Sequence, residues 1–272
     1  MSASTKLPGT IIPSEIIPPV TVRTTRSKCL YDIIVKEGAT LHAPNLLEIQ
    51  HVLKLEESAR LDAPNLKTMG GKMFLGRGVR FFAPFLAQTY GQVEISDGAQ
   101  FTAPRLTSVG WHLTIGGGAI VEAPELHTIG YGLRLKTKLT LPRLAQVGHL
   151  QLDQAAALVA PHLADCGDLY AEVDATLDAE ELRSVASLYL ADNTHLTLPH
   201  LVTIRDDLGV GVGAHLEAGG LEKVFGDAHF AAGALVSNNW GSIIVGGTIA
   251  NDAGGTATAP CLRLPARRGV RP

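Results

Sequence analysis

Charge is scarce in this chain. Of its 272 residues only 18% are Asp, Glu, Lys or Arg, and the net charge is -3, where an ordinary globular domain carries about 25% charged residues. A disordered polymer needs the opposite balance, so a chain that is 46% hydrophobic is expected to fold along most of its length. Near-neutrality and the lack of a Lys/Arg run leave no electrostatic footprint for nucleic acid. Cysteine is almost missing too. Cys29, Cys166 and Cys261 cannot build a disulfide scaffold, which suits a reducing compartment. No apolar run reaches the roughly 18 residues of a membrane span. The opening segment MSASTKLPGTIIPSEIIPPV lacks the unbroken apolar stretch of a signal peptide. The expectation is a cytoplasmic protein with no membrane partner. Amphipathic helical stripes with caps are also absent, which points away from an α-solenoid.

What the chain does have is a repeat. Ala-Pro pairs fall at Ala43-Pro44, Ala63-Pro64, Ala83-Pro84, Ala103-Pro104 and Ala123-Pro124, each twenty residues after the last. Leu141-Pro142, Ala160-Pro161 and Leu198-Pro199 continue the series with slightly shorter spacings, and Ala179-Glu180 and Ala218-Gly219 fill the two skipped places. With the proline as position 1, position 3 is leucine in ten successive units, from Leu46 to Leu221. Position 6 is mostly apolar, with Cys29 and Cys166 standing where other units have Ile49, Val109 or Ile129. Positions 10 and 12 form apolar pairs such as Leu53/Leu55 and Leu113/Ile115, and positions 16, 18 and 20 alternate again, as in Ala59/Leu61/Ala63.

Period-two alternation marks strands with one face buried. Proline has no N–H to give to a ladder, so position 1 belongs at a corner. The glycine frequent at position 7 (Gly70, Gly110, Gly130) is read as supplying the unusual backbone angles of a tight turn. A coil of about twenty residues cannot bury its own apolar side, but stacked coils at about 4.8 Å make parallel ladders around a shared column. The predicted fold is mainly β: a single parallel β-solenoid of about eleven coils over residues 24–238. Residues 1–23 are expected to lie across the first coil as a cap, 239–251 to close the last, and 252–272 to form a flexible basic tail. Two residues are missing between Leu135 and Leu139, between strands, where a loop can shorten without breaking the column.

The pattern P-x-L-x-x-V-G-x-x-L-x-L, as in Pro104 through Leu106, Val109-Gly110 and Leu113-Thr114-Ile115, resembles the short leucine-rich-repeat proteins of bacteria and their phages. Its first half is similar to repeats of the receptor L domain. The likeness covers residues 24–238 and implies protein–protein binding, including toxin neutralisation or engagement of a host target. The chain departs from the usual repeat in having no Asn ladder after the strand and too few residues for an outer helix, so a straighter stack is expected than a horseshoe.

No catalytic constellation emerges, and no enzyme, cofactor or metal is expected. Ser184 and Ser187 stand on no nucleophile elbow, and Gly116-Gly117-Gly118 lacks the Lys-Ser/Thr and helix start of a phosphate loop. Asp206-Asp207 and Glu180-Glu181 are adjacent, so in a strand their carboxylates would diverge; a carbohydrate-active enzyme ranks last. His195 and His215 share position 17 on successive units with Glu217 near, and are read as solvated strand histidines. The outward residues Phe74, Trp111, His112, Tyr131, Arg134, His149, Tyr170 and Tyr189 are the candidate partner-binding set, expected to form one contiguous patch. Trp, Tyr and Arg are the types enriched at interface hot spots, and aromatics are only 5% of this chain. The leading expectation is a monomeric scaffold that binds another protein. A solenoid that assembles end to end is the alternative.

Overall fold

The computed structural model describes residues 5–6, 14–17, 21–23, 27–237, 243–251 and 262–263. Among these there is no helix; the chain winds into about eleven turns of parallel β-solenoid. It divides into two compact units, Met1–Val147 and Gly148–Pro272, each built of such turns.

A full coil has three short strands and two tight corners. In the coil that starts at Pro64 the strands are Thr68–Met69, Met73–Leu75 and Arg80–Phe82. The inward set Leu66, Met69, Met73, Leu75, Val79, Phe81 and Ala83 is buried throughout. Through the middle of the first unit strands pair in parallel with equivalents twenty residues away: Met73 faces Leu53 on one side and Val93 on the other, and Leu113 faces Leu133. The second unit repeats the arrangement, with Leu188 between Leu169 and Leu208. Large side chains stack on their own kind along the column, as Phe81 does on Phe101 with ring centroids 6.0 Å apart.

Both corners are hydrogen-bonded turns. At the first, the Leu46 N–H donates to the Ala43 carbonyl (3.0 Å), with Pro44 at the second turn position that its fixed φ suits. The same bond recurs from Leu66 to Ala63 and from Leu106 to Ala103. At the second corner the Ala59 N–H donates to the Glu56 carbonyl (3.0 Å), and the residue at position 15 takes positive φ. Glycine fills that place at Gly38, Gly78, Gly98 and Gly118, but Ser58, Ala155, Asp174 and Asn193 adopt it as well.

The glycine at position 7 does something other than expected. None of Gly70, Gly110 and Gly130 has positive φ; instead, a Cβ there would sit 2.7, 2.5 and 2.3 Å from the carbonyl oxygen of the preceding coil. These glycines permit close approach of backbones, and the unusual turn angles belong to position 15.

The terminal strands join the ladder. Ser14–Ile17 pairs in parallel with Asp32–Val35, and Thr21–Arg23 pairs with Thr40–His42. At the other end Ile243–Val245 pairs with Lys223–Val224, and Leu262–Arg263, within the segment expected to be a flexible tail, pairs with Ile243–Ile244. The remaining residues of 252–272 lie outside the described residues.

Carboxylates at bends between strands tie one coil to the next. Asp97 accepts from the Gly117 N–H (2.7 Å), Asp192 from Val212 (2.7 Å), Asp207 from Asp227 (2.9 Å) and Asp227 from Thr248 (2.6 Å). These bonds hold the Asp227 carboxyl below the ordinary carboxylate range, chiefly through the Thr248 backbone N–H and hydroxyl. The Lys28 and Lys36 ammonium groups do the same for Glu48 and Glu56. Among the described residues one buried side-chain polar atom is unsatisfied: Thr89 takes position 6, and its hydroxyl has no partner.

Three outcomes follow. Thr89→Val removes an unpaired buried hydroxyl while keeping shape and is expected to stabilise the fold by about 1 kcal/mol, read from the urea midpoint. Gly98→Val forces a β-branched side chain to positive φ and is expected to cost about 1–2 kcal/mol by the same measurement. The depressed carboxyls contribute stability above the ordinary carboxylate values near pH 4, and it is lost as pH falls through their lower folded values. The urea midpoint should therefore drop on the acid side of pH 4, and Asp227→Asn should blunt part of that drop.

Candidate functional site

The residues with catalytic potential are used structurally. Gly116-Gly117-Gly118 forms the second corner of its coil, with Gly118 at φ 65°, and the Asp97 carboxylate already accepts the Gly117 N–H that an anion would need. Ser187 is buried. Cys29 and Cys166 are both buried thiols in the column. Burial pushes the Cys166 thiol up to about 12, with Asp165 and Asp168 adding to the effect. Cys261 lies outside the described residues.

Within each unit some of the outward aromatic residues pack on one another. In the first unit Trp111 and Tyr131 occupy position 8 of successive coils, with their ring centroids 5.8 Å apart. His112 packs between them at 5.9 Å from Trp111 and 4.5 Å from Tyr131. The two large rings remain 53% and 47% exposed. Their surroundings explain this. Gly71 and Gly91 precede them at position 8, and Gly110, Gly130 and Gly132 flank them, so little neighbouring side chain covers the rings. Arg134 stands outward in the strand that carries Tyr131, opposite Thr114. Phe74 is not in this group: it is half-buried and faces Lys54 and Glu94, so Glu94 and Thr114 separate it from Arg134 along the row.

In the second unit Tyr170 and Tyr189 face each other in register and stack at 4.9 Å with 16° between ring planes. Partial burial, the neighbouring Tyr189 and the Asp168 carboxylate raise the Tyr170 phenol above its usual range. The next residue in the row is Gly209, where a Cβ would lie 2.7 Å from Tyr189 Cδ1. Glycine there lets the Tyr189 ring lie over the following coil. With Gln151 and Glu172 the two tyrosines line a groove of about 460 Å³. His149 pairs with Asp168 at 2.9 Å.

Several exposed aromatics escaped the sequence reading. Tyr90 is 61% exposed at position 7, where it donates to Gln88 (2.8 Å). Its signal is a tyrosine at a place often given to glycine. Phe85 lies under the Arg105 guanidinium at 4.7 Å and Phe225 under the Lys223 ammonium at 3.7 Å.

The shortened coil creates a second feature. Ile120–Glu122 pairs with Gln100–Thr102 on one side, but among the described residues no pairing joins it to Lys138–Thr140. Ile120 is exposed and Val121 only half-buried, although position 18 is inward elsewhere. The result is a groove of about 580 Å³ lined by Pro104, Ile120, Val121, Leu139 and Pro142. The two missing residues that made the loop shorter are its cause.

No protein family, curated protein or solved structure matches this chain. No helix among the described residues is long and apolar enough to cross a membrane.

The buried thiols give a direct test. In native buffer Cys29 and Cys166 should fail to react with an aromatic disulfide reagent, and should react fully once the chain is unfolded in guanidinium. Fast labelling of Cys166 in the folded protein would contradict the burial described here.

Proposed function

We propose that this chain is a non-enzymatic scaffold that binds another protein through the Trp111–His112–Tyr131 cluster, with Arg134 at its margin. The observation that carries this reading is a group of three mutually packed rings, two of them half exposed, on a framework whose other large side chains are mostly turned inward. Trp and Tyr supply contact area at low entropic cost because they have two side-chain torsions, and hydrogen-bonded strands hold them in place before a partner arrives. The resemblance to leucine-rich-repeat proteins of bacteria and phages supports the same class, with toxin neutralisation or effector binding as the role it suggests. A cytoplasmic setting belongs to this proposal and fits two buried cysteines that form no disulfide.

The groove beside Ile120 favours a second mode of engagement within the same function. Two strand edges with apolar side chains between them suit an extended peptide, which would add its backbone to the ladder. Assembly end to end stays a competing reading, supported by the terminal strands Ser14–Ile17 and Leu262–Arg263 that continue the ladder.

The test uses the triple variant Trp111→Ala, Tyr131→Ala, Arg134→Ala beside the wild type as immobilised bait in extract of the native source. Any protein retained by the wild type should bind the variant at least about tenfold more weakly. Unchanged affinity of the captured partner sinks this surface. Light scattering that shows mass growing with concentration for both proteins would favour assembly instead.

A further inference from the structure

The third face of the second unit carries a side-chain cluster that the proposed function does not use. His195–Thr197, His215–Glu217 and Leu235–Ser237 form a three-stranded parallel sheet, with His195 directly opposite His215 and Thr197 opposite Glu217. The imidazoles point outward at position 17, and the Glu217 carboxylate leaves the same face two residues later. The rings are 4.7 Å apart. His195 Nε2 lies 3.3 Å from Glu217 Oε1, and one ligand-type atom from each of the three residues falls within 4.8 Å of the others.

We infer that His195, His215 and Glu217 form a binding site for a divalent first-row transition-metal ion of the Zn²⁺ type. Atoms bound to a common ion at about 2.0–2.1 Å stand roughly 3–3.4 Å from one another. Partly exposed side chains on fixed strands reach that spacing by small rotations, while the ladder keeps the Cα positions unchanged. Two imidazoles with one carboxylate select zinc, nickel or copper over calcium or magnesium, which prefer all-oxygen sites. The supporting residues are in place as well. Thr197 Oγ1 donates to Glu217 Oε2 (3.2 Å), which leaves Oε1 turned toward His195, and Ser237 Oγ lies 3.3 Å from His215 Nε2 and fixes that ring. Such outer partners orient metal ligands and sharpen affinity. Three protein ligands leave at least one coordination position for water or for a group on another molecule. Elsewhere the chain offers two-residue pairs, His42–Asp62 at 3.0 Å and His162–Glu181 at 2.8 Å, which serve as internal comparisons.

The experiment is calorimetric titration of the metal-free full chain with zinc chloride, repeated with nickel chloride. The wild type should show a tightest site of one equivalent. His195→Ala and His215→Ala should each weaken that site at least about tenfold, Glu217→Gln should weaken it less, and His162→Ala should leave it unchanged. All four side chains are at least partly exposed, so circular dichroism and the urea midpoint should match the wild type, which separates lost ligation from lost fold. If the His195→Ala, His215→Ala double variant keeps the wild-type affinity and stoichiometry, or if the wild type binds neither metal at about millimolar concentration, the inference is wrong.

Discussion

The whole fold rests on one geometric condition: after each circuit the chain must return one strand spacing along the stack, with the same positions facing in. A parallel ladder imposes it, because its hydrogen bonds run to the coil before and the coil after. Once the return is fixed, leucine meets leucine at Leu46, Leu66, Leu86 and Leu106, and each side chain is covered by its own equivalents. The hydrophobic column and the ladder therefore stabilise each other. A substitution such as Leu106→Ala would open a cavity shared by neighbouring coils and cost about 2–5 kcal/mol.

The same condition explains where the surface varies. Inward positions are held to apolar residues, whereas outward ones are limited only by the spacing between coils. At that spacing identical or complementary residues on adjacent coils are brought into contact automatically. Trp111 meets Tyr131, Tyr170 meets Tyr189, His195 meets His215, and His162 meets Glu181 by this single rule. Outward chemistry on such a stack is written in columns, and a glycine in a column, such as Gly209 after Tyr189, gives the ring before it room to lie flat.

The fold was largely legible in the sequence because period and burial coincide. The fixed-interval Ala-Pro pairs marked the corners, and the alternation at positions 10–12 and 16–20 marked the strands. Even the cysteines were placed correctly, since they sit where other coils have Ile or Val. The second corner was harder to read, because Gly98, Ser58, Asp174 and Asn193 share a backbone angle without sharing a side chain. The role of glycine at position 7 was misread because close approach and positive φ favour the same residue. Of the surface, the aromatic columns are legible in the repeat, whereas the groove that a two-residue deletion opens beside Ile120 is not.

The carboxylates that latch one coil to the next have a consequence for how such a chain can grow. In the bonds from Asp97, Asp192, Asp207 and Asp227 the acceptor lies on the earlier coil and the donor is backbone on the later one. The donor is an amide that every residue except proline possesses, so the latch demands nothing of the incoming sequence. A duplicate of the coil that holds Asp97 or Asp207 would bring its own carboxylate and offer its neighbour a backbone donor without further adaptation. Lengthening by whole turns is thus open to this architecture in a way that lengthening by fractions of a turn is not.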